Sequence, residues 1–163
     1  MVNMTLHTID KKAIYAYLEE IKDPEVPVLS IIDLGIVRDV VMHEDDEVEV
    51  FITSTYNGCP AMDMIATNIR IMLATLGFKK YKVTQILSPA WTTDWMSEEG
   101  KRKLKAYGIA APDKRFLKAE NGVECPHCNS PHTKLISEFG STACKALYQC
   151  NDCKEPFDYF KCH

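Results

Sequence analysis

Cysteine is nearly absent from the first 124 residues of this 163-residue chain: Cys59 stands alone there, and the other six lie at or beyond Cys125. Seven is an odd number, and a disulfide framework needs an oxidising, secreted setting. Met1 to Leu18 does not supply one, because Asp10, Lys11 and Lys12 interrupt its apolar residues; it reads as neither a secretory signal nor a membrane span. No apolar run elsewhere is long enough to cross a bilayer. An excess of positive charge is also missing. The net charge of −4 gives no electrostatic reason to expect nucleic acid or an acidic membrane surface as partner. These absences point to a soluble, cytoplasmic protein. Histidine is sparse too. A cysteine nucleophile needs a base, and none of His7, His43, His127, His132 and His163 stands in a recognisable pairing with Cys59. The sequence therefore favours a role other than catalysis. What remains is ordinary globular material, 46% hydrophobic and 26% charged, enough for one sizeable domain or a core domain with an appendage.

The chain is organised around Thr53 to Asp63. An apolar strand pattern runs into this stretch and an amphipathic helix pattern runs out of it. Pro60 suits the first helical position, where its missing N–H is no loss. That puts Cys59 at the helix N-cap, where free amides and the positive end of the dipole favour a thiolate. Gly58 permits a tight turn before it, and Asp63, one turn on, opposes the thiolate. Cys59 is thus either a functional thiol or a small apolar neighbour of the helix start.

On either side the pattern is α+β. Ile14, Tyr17, Leu18 and Ile21 share one face of a helix expected over Thr8 to Lys22, ended by Asp23-Pro24. Asp23-Pro24-Glu25-Val26-Pro27 is a stiff acidic turn, either helix-stop punctuation or a pair of carboxylates, Asp23 and Glu25, held near a site. A strand over Ile36 to Met42, an acidic tip at Glu44 to Glu47, and Val48, Val50 and Ile52 in alternation predict a hairpin. The core helix follows Pro60 and stops at Gly77. A third strand, Tyr81 to Leu87, returns after a helical crossover and so should pair parallel, giving a small three-stranded mixed sheet packed with helices. Beyond it, Trp91 and Trp95 either line a partner surface or cap the core. Ser97 to Gly108 predicts a last helix with a solvated basic run. The expected domains are 1–108 and 122–163, with 109–121 as a linker.

Cys125-Pro-His-Cys128 and Cys150-Asn-Asp-Cys153 are two knuckles of the kind that complete a tetrahedral metal site, here a zinc ribbon. Iron is the chemical alternative for a four-thiolate site. A closed four-cysteine site has no open position for water and is therefore structural. Cys144 and Cys162 are extra thiols that either stay outside the site or substitute within it.

Three motifs in order, Asp23-Pro24-Glu25-Val26-Pro27, Asp33-Leu34-Gly35-Ile36-Val37 and Gly58-Cys59-Pro60, resemble the SufT-type iron–sulfur assembly domain over about residues 8 to 108. With Pro89 to Trp95 and the C-terminal ribbon added, the whole chain resembles the PaaD family, an accessory component of bacterial phenylacetyl-CoA ring epoxidase systems. The resemblance implies an accessory or maturation factor in aerobic phenylacetate breakdown rather than a catalytic subunit. It also implies protein partners among the epoxidase components, above all the iron–sulfur reductase, and a transient iron–sulfur cluster as cargo. Cys59 falls where the assembly family has its functional thiol, and Asp23 and Glu25 fall on its acidic motif. A homo-oligomer is compatible with the sequence. The competing class is a non-catalytic scaffold, in which the ribbon docks a protein partner and Cys59 is inert.

Overall fold

The computed structural model describes residues 9–112 and 122–161. The chain divides into two compact units, the first ending at Trp91 and the second beginning at Thr92. The first has the α+β architecture expected from the hydrophobic periodicity. Helix α1 (Lys11–Glu19) starts at Asp10, whose Oδ1 accepts from the Ala13 amide at 2.8 Å. It is shorter than the predicted Thr8–Lys22. The chain leaves the helix after Glu20 so that Lys22 can bridge to Ser30; Thr8 lies outside the described residues. Strands β1 (Val37–Met42) and β2 (Glu47–Ile52) form the antiparallel hairpin, with Asp46 in the left-handed region at its tip. Helix α2 (Ala61–Thr75) crosses over to β3 (Lys80–Gln85), which pairs parallel with β2, giving the order β1-β2-β3.

The core follows from the two periods of the sequence. Val48, Val50 and Ile52 are buried from β2, Ile65, Ile69 and Leu73 from α2, and Ile14 and Leu18 from α1. Each such side chain contributes about 1.5–3 kcal/mol by leaving water. Gly77 ends α2 with a positive φ of 93°.

The second unit holds a 3₁₀ turn (Thr93–Trp95), helix α3 (Glu98–Ala106) and a four-stranded sheet. Ser97 caps α3, its Oγ accepting from the Gly100 amide at 2.8 Å. Ile109–Ala110, read from the sequence as the start of a linker, form strand β4. Both residues are buried and pair parallel with Asp158 and Tyr159. Strands β5 (Thr133–Ser137), β6 (Lys145–Cys150) and β7 (Pro156–Phe160) complete the sheet in the order β4-β7-β6-β5. The remainder of the predicted linker, 113–121, lies outside the described residues. Among the described residues no helix is long and apolar enough to cross a membrane.

Candidate functional site

The acidic turn is built by its own first residue. Asp23 is buried, and its Oδ1 accepts from the amides of Glu25 and Val26, each at 2.8 Å, while its own amide donates to the Leu29 carbonyl at 2.9 Å. Asp23 is therefore not a solvated helix stop but the acceptor that shapes the turn. Glu25 is half-exposed. A second pair fixes the next corner. The Ser30 amide donates to Asp33 Oδ2 at 3.1 Å and the Asp33 amide to Ser30 Oγ at 2.9 Å, both groups being buried.

The strand-to-helix corner after β2 begins with buried Thr53 and Thr55, and the Ser54 hydroxyl donates to the Tyr56 carbonyl. Gly58 has φ of 77°, with open space where a Cβ would stand; the backbone conformation, not crowding, calls for glycine. Pro60 already has helical dihedrals and the Cys59 carbonyl accepts from the Met62 amide at 3.2 Å, but the helix boundary falls on Pro60, one residue beyond the predicted cap.

Cys59 is half-buried. Its thiol is raised above the ordinary cysteine range, first by burial, against the lowering effect of the Ala61 amide and Tyr56, and further by the charges of Glu25 and Asp23. This corrects the expectation that the helix start yields a ready thiolate: lost hydration and two carboxylates outweigh it. Those carboxylates come from the acidic turn rather than from Asp63, which sequence spacing singled out. The fold thus brings the 23–27 turn into electrostatic reach of the 58–60 corner, although more than thirty residues separate them in sequence.

Trp91 belongs to the core. It is 4% exposed, and its Nε1 donates to the buried Leu34 carbonyl at 2.8 Å, so the partner-surface reading fails for it. Trp91→Phe keeps the ring but orphans that carbonyl, and should cost about 1–3 kcal/mol in denaturant unfolding. Trp95 is half-buried in the 3₁₀ turn, where Thr92 Oγ1 accepts from the Asp94 amide at 3.1 Å, and is not an open apolar face.

In the second unit the four knuckle cysteines converge. The sulfurs of Cys125, Cys128, Cys150 and Cys153 all lie within 4.8 Å of one another, with Cys125–Cys153 at 3.7 Å and Cys128–Cys150 at 3.6 Å. A tetrahedron with metal–sulfur bonds of about 2.3 Å has edges of about 3.8 Å, whereas a disulfide needs about 2.05 Å. The donor set fits a metal ion. Each knuckle turns with a residue of positive φ directly after its second cysteine, Asn129 at 62° and Lys154 at 67°. The Cys125 amide donates to the Ser130 carbonyl at 2.9 Å and the Cys150 amide to that of Glu155 at 3.0 Å, closing both loops. Sequence reading missed these left-handed residues, for which Asn129 was the available signal.

The sulfurs do not ionise alike. At Cys150 burial opposes the thiolate, but the Cys153 and Asp152 amides outweigh it and the thiol falls to about 6. At Cys153 the Glu155 amide favours the thiolate, but burial and the crowding of the other sulfurs push the thiol up to about 12. Four thiolates at this spacing need a cation to coexist. His127 packs edge-on to Phe157 at 6.4 Å, and His132 Nδ1 lies 3.1 Å from Asp152 Oδ2; neither belongs to the quartet. Cys144 is buried beside Thr142 Oγ1, also outside the quartet, so it does not replace a knuckle cysteine. Cys162 lies outside the described residues.

Comparison with known proteins follows the same division. Residues 11–85 match the family described as iron–sulfur cluster assembly protein, and residues 110–161 match the PaaD zinc beta ribbon domain. A domain of unknown function from Bacillus anthracis shares the fold of the first unit, with TM-score 0.54 and 30% identity over 58% of this chain and 90% of that one. The Bacillus subtilis iron–sulfur protein maturation auxiliary factor YitW is 38% identical over 58% of this chain and 92% of its own length. Fold and cysteine quartet together define an assembly-type domain joined to a metal-binding β-ribbon. The PaaD-type component of 1,2-phenylacetyl-CoA epoxidase from Escherichia coli K12 is 52% identical over 91% of both chains. This protein belongs to that PaaD family of phenylacetyl-CoA epoxidase components.

Proposed function

We propose that the protein is an accessory factor for iron–sulfur assembly in the phenylacetyl-CoA epoxidase system, with the iron–sulfur reductase component as client and Cys59 as the thiol that meets the cargo. The observation that carries this is the half-exposed Cys59 at a strand-to-helix corner, beside the carboxylates of Asp23 and Glu25. Those groups oppose a bare thiolate, yet the same negative charge favours a thiolate paired with iron. The site therefore holds a proton at Sγ until a cation displaces it. One cysteine cannot complete a tetrahedral iron site, so the remaining ligands come from the client or a small thiol. The ribbon's ion is zinc and its role structural, in keeping with a closed set of four thiolates.

Cys59→Ser in cells given phenylacetate as sole carbon source tests this. Growth and cluster content of the reductase should drop to the level of cells lacking the protein, while the purified variant keeps its fold and ribbon metal. Normal growth with a fully loaded reductase would leave the scaffold reading in place instead.

A further inference from the structure

Helix α2 buries Ala61, Met62, Ile65, Ile69 and Leu73 and turns the opposite arc outward. On that arc Met64 is 55% and Ile71 59% exposed. Seven residues apart, they lie on nearly one line along the helix. A second exposed line, also seven residues apart, carries Asp63 and Arg70, and exposed Thr67 and Ala74 run between the two. Among the described residues neither Asp63 nor Arg70 forms an ion pair. The outward face is thus an apolar rail, a charged rail and a shallow strip of small side chains.

We propose that this face pairs with the same face of a second copy of the chain, the two α2 helices antiparallel about a twofold axis beside Thr67. Such an axis keeps each rail on its own side while reversing its direction. Asp63 then meets the partner's Arg70, and Met64 meets the partner's Ile71. Both pairs have their midpoint at Thr67 to within one residue, so a single register satisfies the charged and the apolar rail together. Thr67 and Ala74 let the backbones approach. A parallel pair, with its twofold axis along the helices, would exchange the two sides and lay the charged rail of each copy on the apolar rail of the other. Complementarity therefore selects the antiparallel arrangement. Opposed helix dipoles favour it as well. The ribbon's exposed apolar row, Leu135, Ile136 and Phe139, offers no such match. A bulge between Leu135 and Ser137 breaks it and Lys134 and Glu138 flank it, features that keep an edge strand unpaired.

The pairing bears on the thiol without depending on its role. At 1.5 Å per residue, the starts of the two helices lie about 18 Å apart along the axes. The Cys59 of each copy sits at its own end of the pair, too far from the other to share one iron centre.

Sedimentation velocity of the full chain over a wide concentration range should show a reversible monomer–dimer equilibrium. Arg70→Asp should weaken it by about tenfold, since two ion pairs become two repulsions. Combining Asp63→Arg with Arg70→Asp should restore it. Thr67→Cys should yield a disulfide-linked dimer on mild oxidation. All these positions are exposed, and circular dichroism checks that the fold is kept. A monomer at every concentration, a dimer indifferent to Arg70→Asp, or a double variant that fails to recover would overturn the proposal. So would a client component that protects Met64 and Ile71 while the chain alone stays monomeric.

Discussion

Removing the ion from the four-cysteine centre, by chelation or by Cys150→Ser, unfolds the second unit and leaves the secondary structure of the first in place. The reason is how little else the second unit buries. Of the largest fully buried side chains, Leu104 is the one that lies beyond Trp91; the rest belong to the first unit. The second unit's own cluster consists of Ala110, Val123, Cys125, Cys150 and Phe157, two of which are the metal's ligands. Structural zinc sites supply about 10–16 kcal/mol of apparent binding free energy at neutral pH, and here that is folding free energy. The pH dependence has a definite sign. Protons compete with the ion for sulfur, and Cys153, pushed up to about 12 without it, regains its proton most readily. Metal release into a chromophoric chelator should therefore accelerate as pH falls. Elemental analysis with circular dichroism of the full chain before and after chelation provides the check. A second unit that keeps its β signal after complete metal loss would refute the argument.

The second large effect concerns Asp23, where charge and hydrogen bonding can be separated. Asp23→Ala removes an acceptor that serves two backbone amides in a buried turn. It should destabilise the first unit by about 3 kcal/mol, read as a lower denaturation midpoint in Trp91 fluorescence. Asp23→Asn keeps an oxygen for those amides and loses only the charge, so it should cost markedly less. Both variants take away a carboxylate that raises the Cys59 thiol. Its pKa should then fall, and at a fixed mildly alkaline pH the thiolate fraction and the rate of alkylation should rise. In the parent chain alkylation should stay slow until above the ordinary cysteine range. If the Asn variant leaves the pH profile of Cys59 alkylation where it was, the acidic turn does not act on the thiol through its charge.

Much of this architecture could be read from local pattern. The alternation of Val48, Val50 and Ile52 marks a strand with one buried face, and the spacing of Ile65, Ile69 and Leu73 marks the helix that covers it. Because a helix intervenes between β2 and β3, parallel pairing follows from chain geometry alone. The knuckles are legible because ligand spacing within each is fixed by a tight turn. What could not be read is whatever depends on distant contacts. Asp23 looks like helix punctuation until its two amide partners are seen. The protonation of Cys59 depends on a turn far away in sequence and on lost hydration, neither of which a helix-start rule includes. Trp91 could face outward or inward by pattern, and the Leu34 carbonyl decides it. Ile109 and Ala110 look like spacer because two residues are too few to show a strand period, and only their pairing with β7 reveals them.

That last detail governs how the molecule can be cut. A recombinant fragment beginning at residue 122 would carry every knuckle cysteine but lack β4, leaving one side of β7 as a raw, unpaired border. Exposed strand borders recruit other chains, so such a fragment should precipitate or stack on itself even when fully metallated. Starting the fragment at Thr92 retains the two-residue selvedge, and with it the seam that keeps the ribbon from fraying into its neighbours.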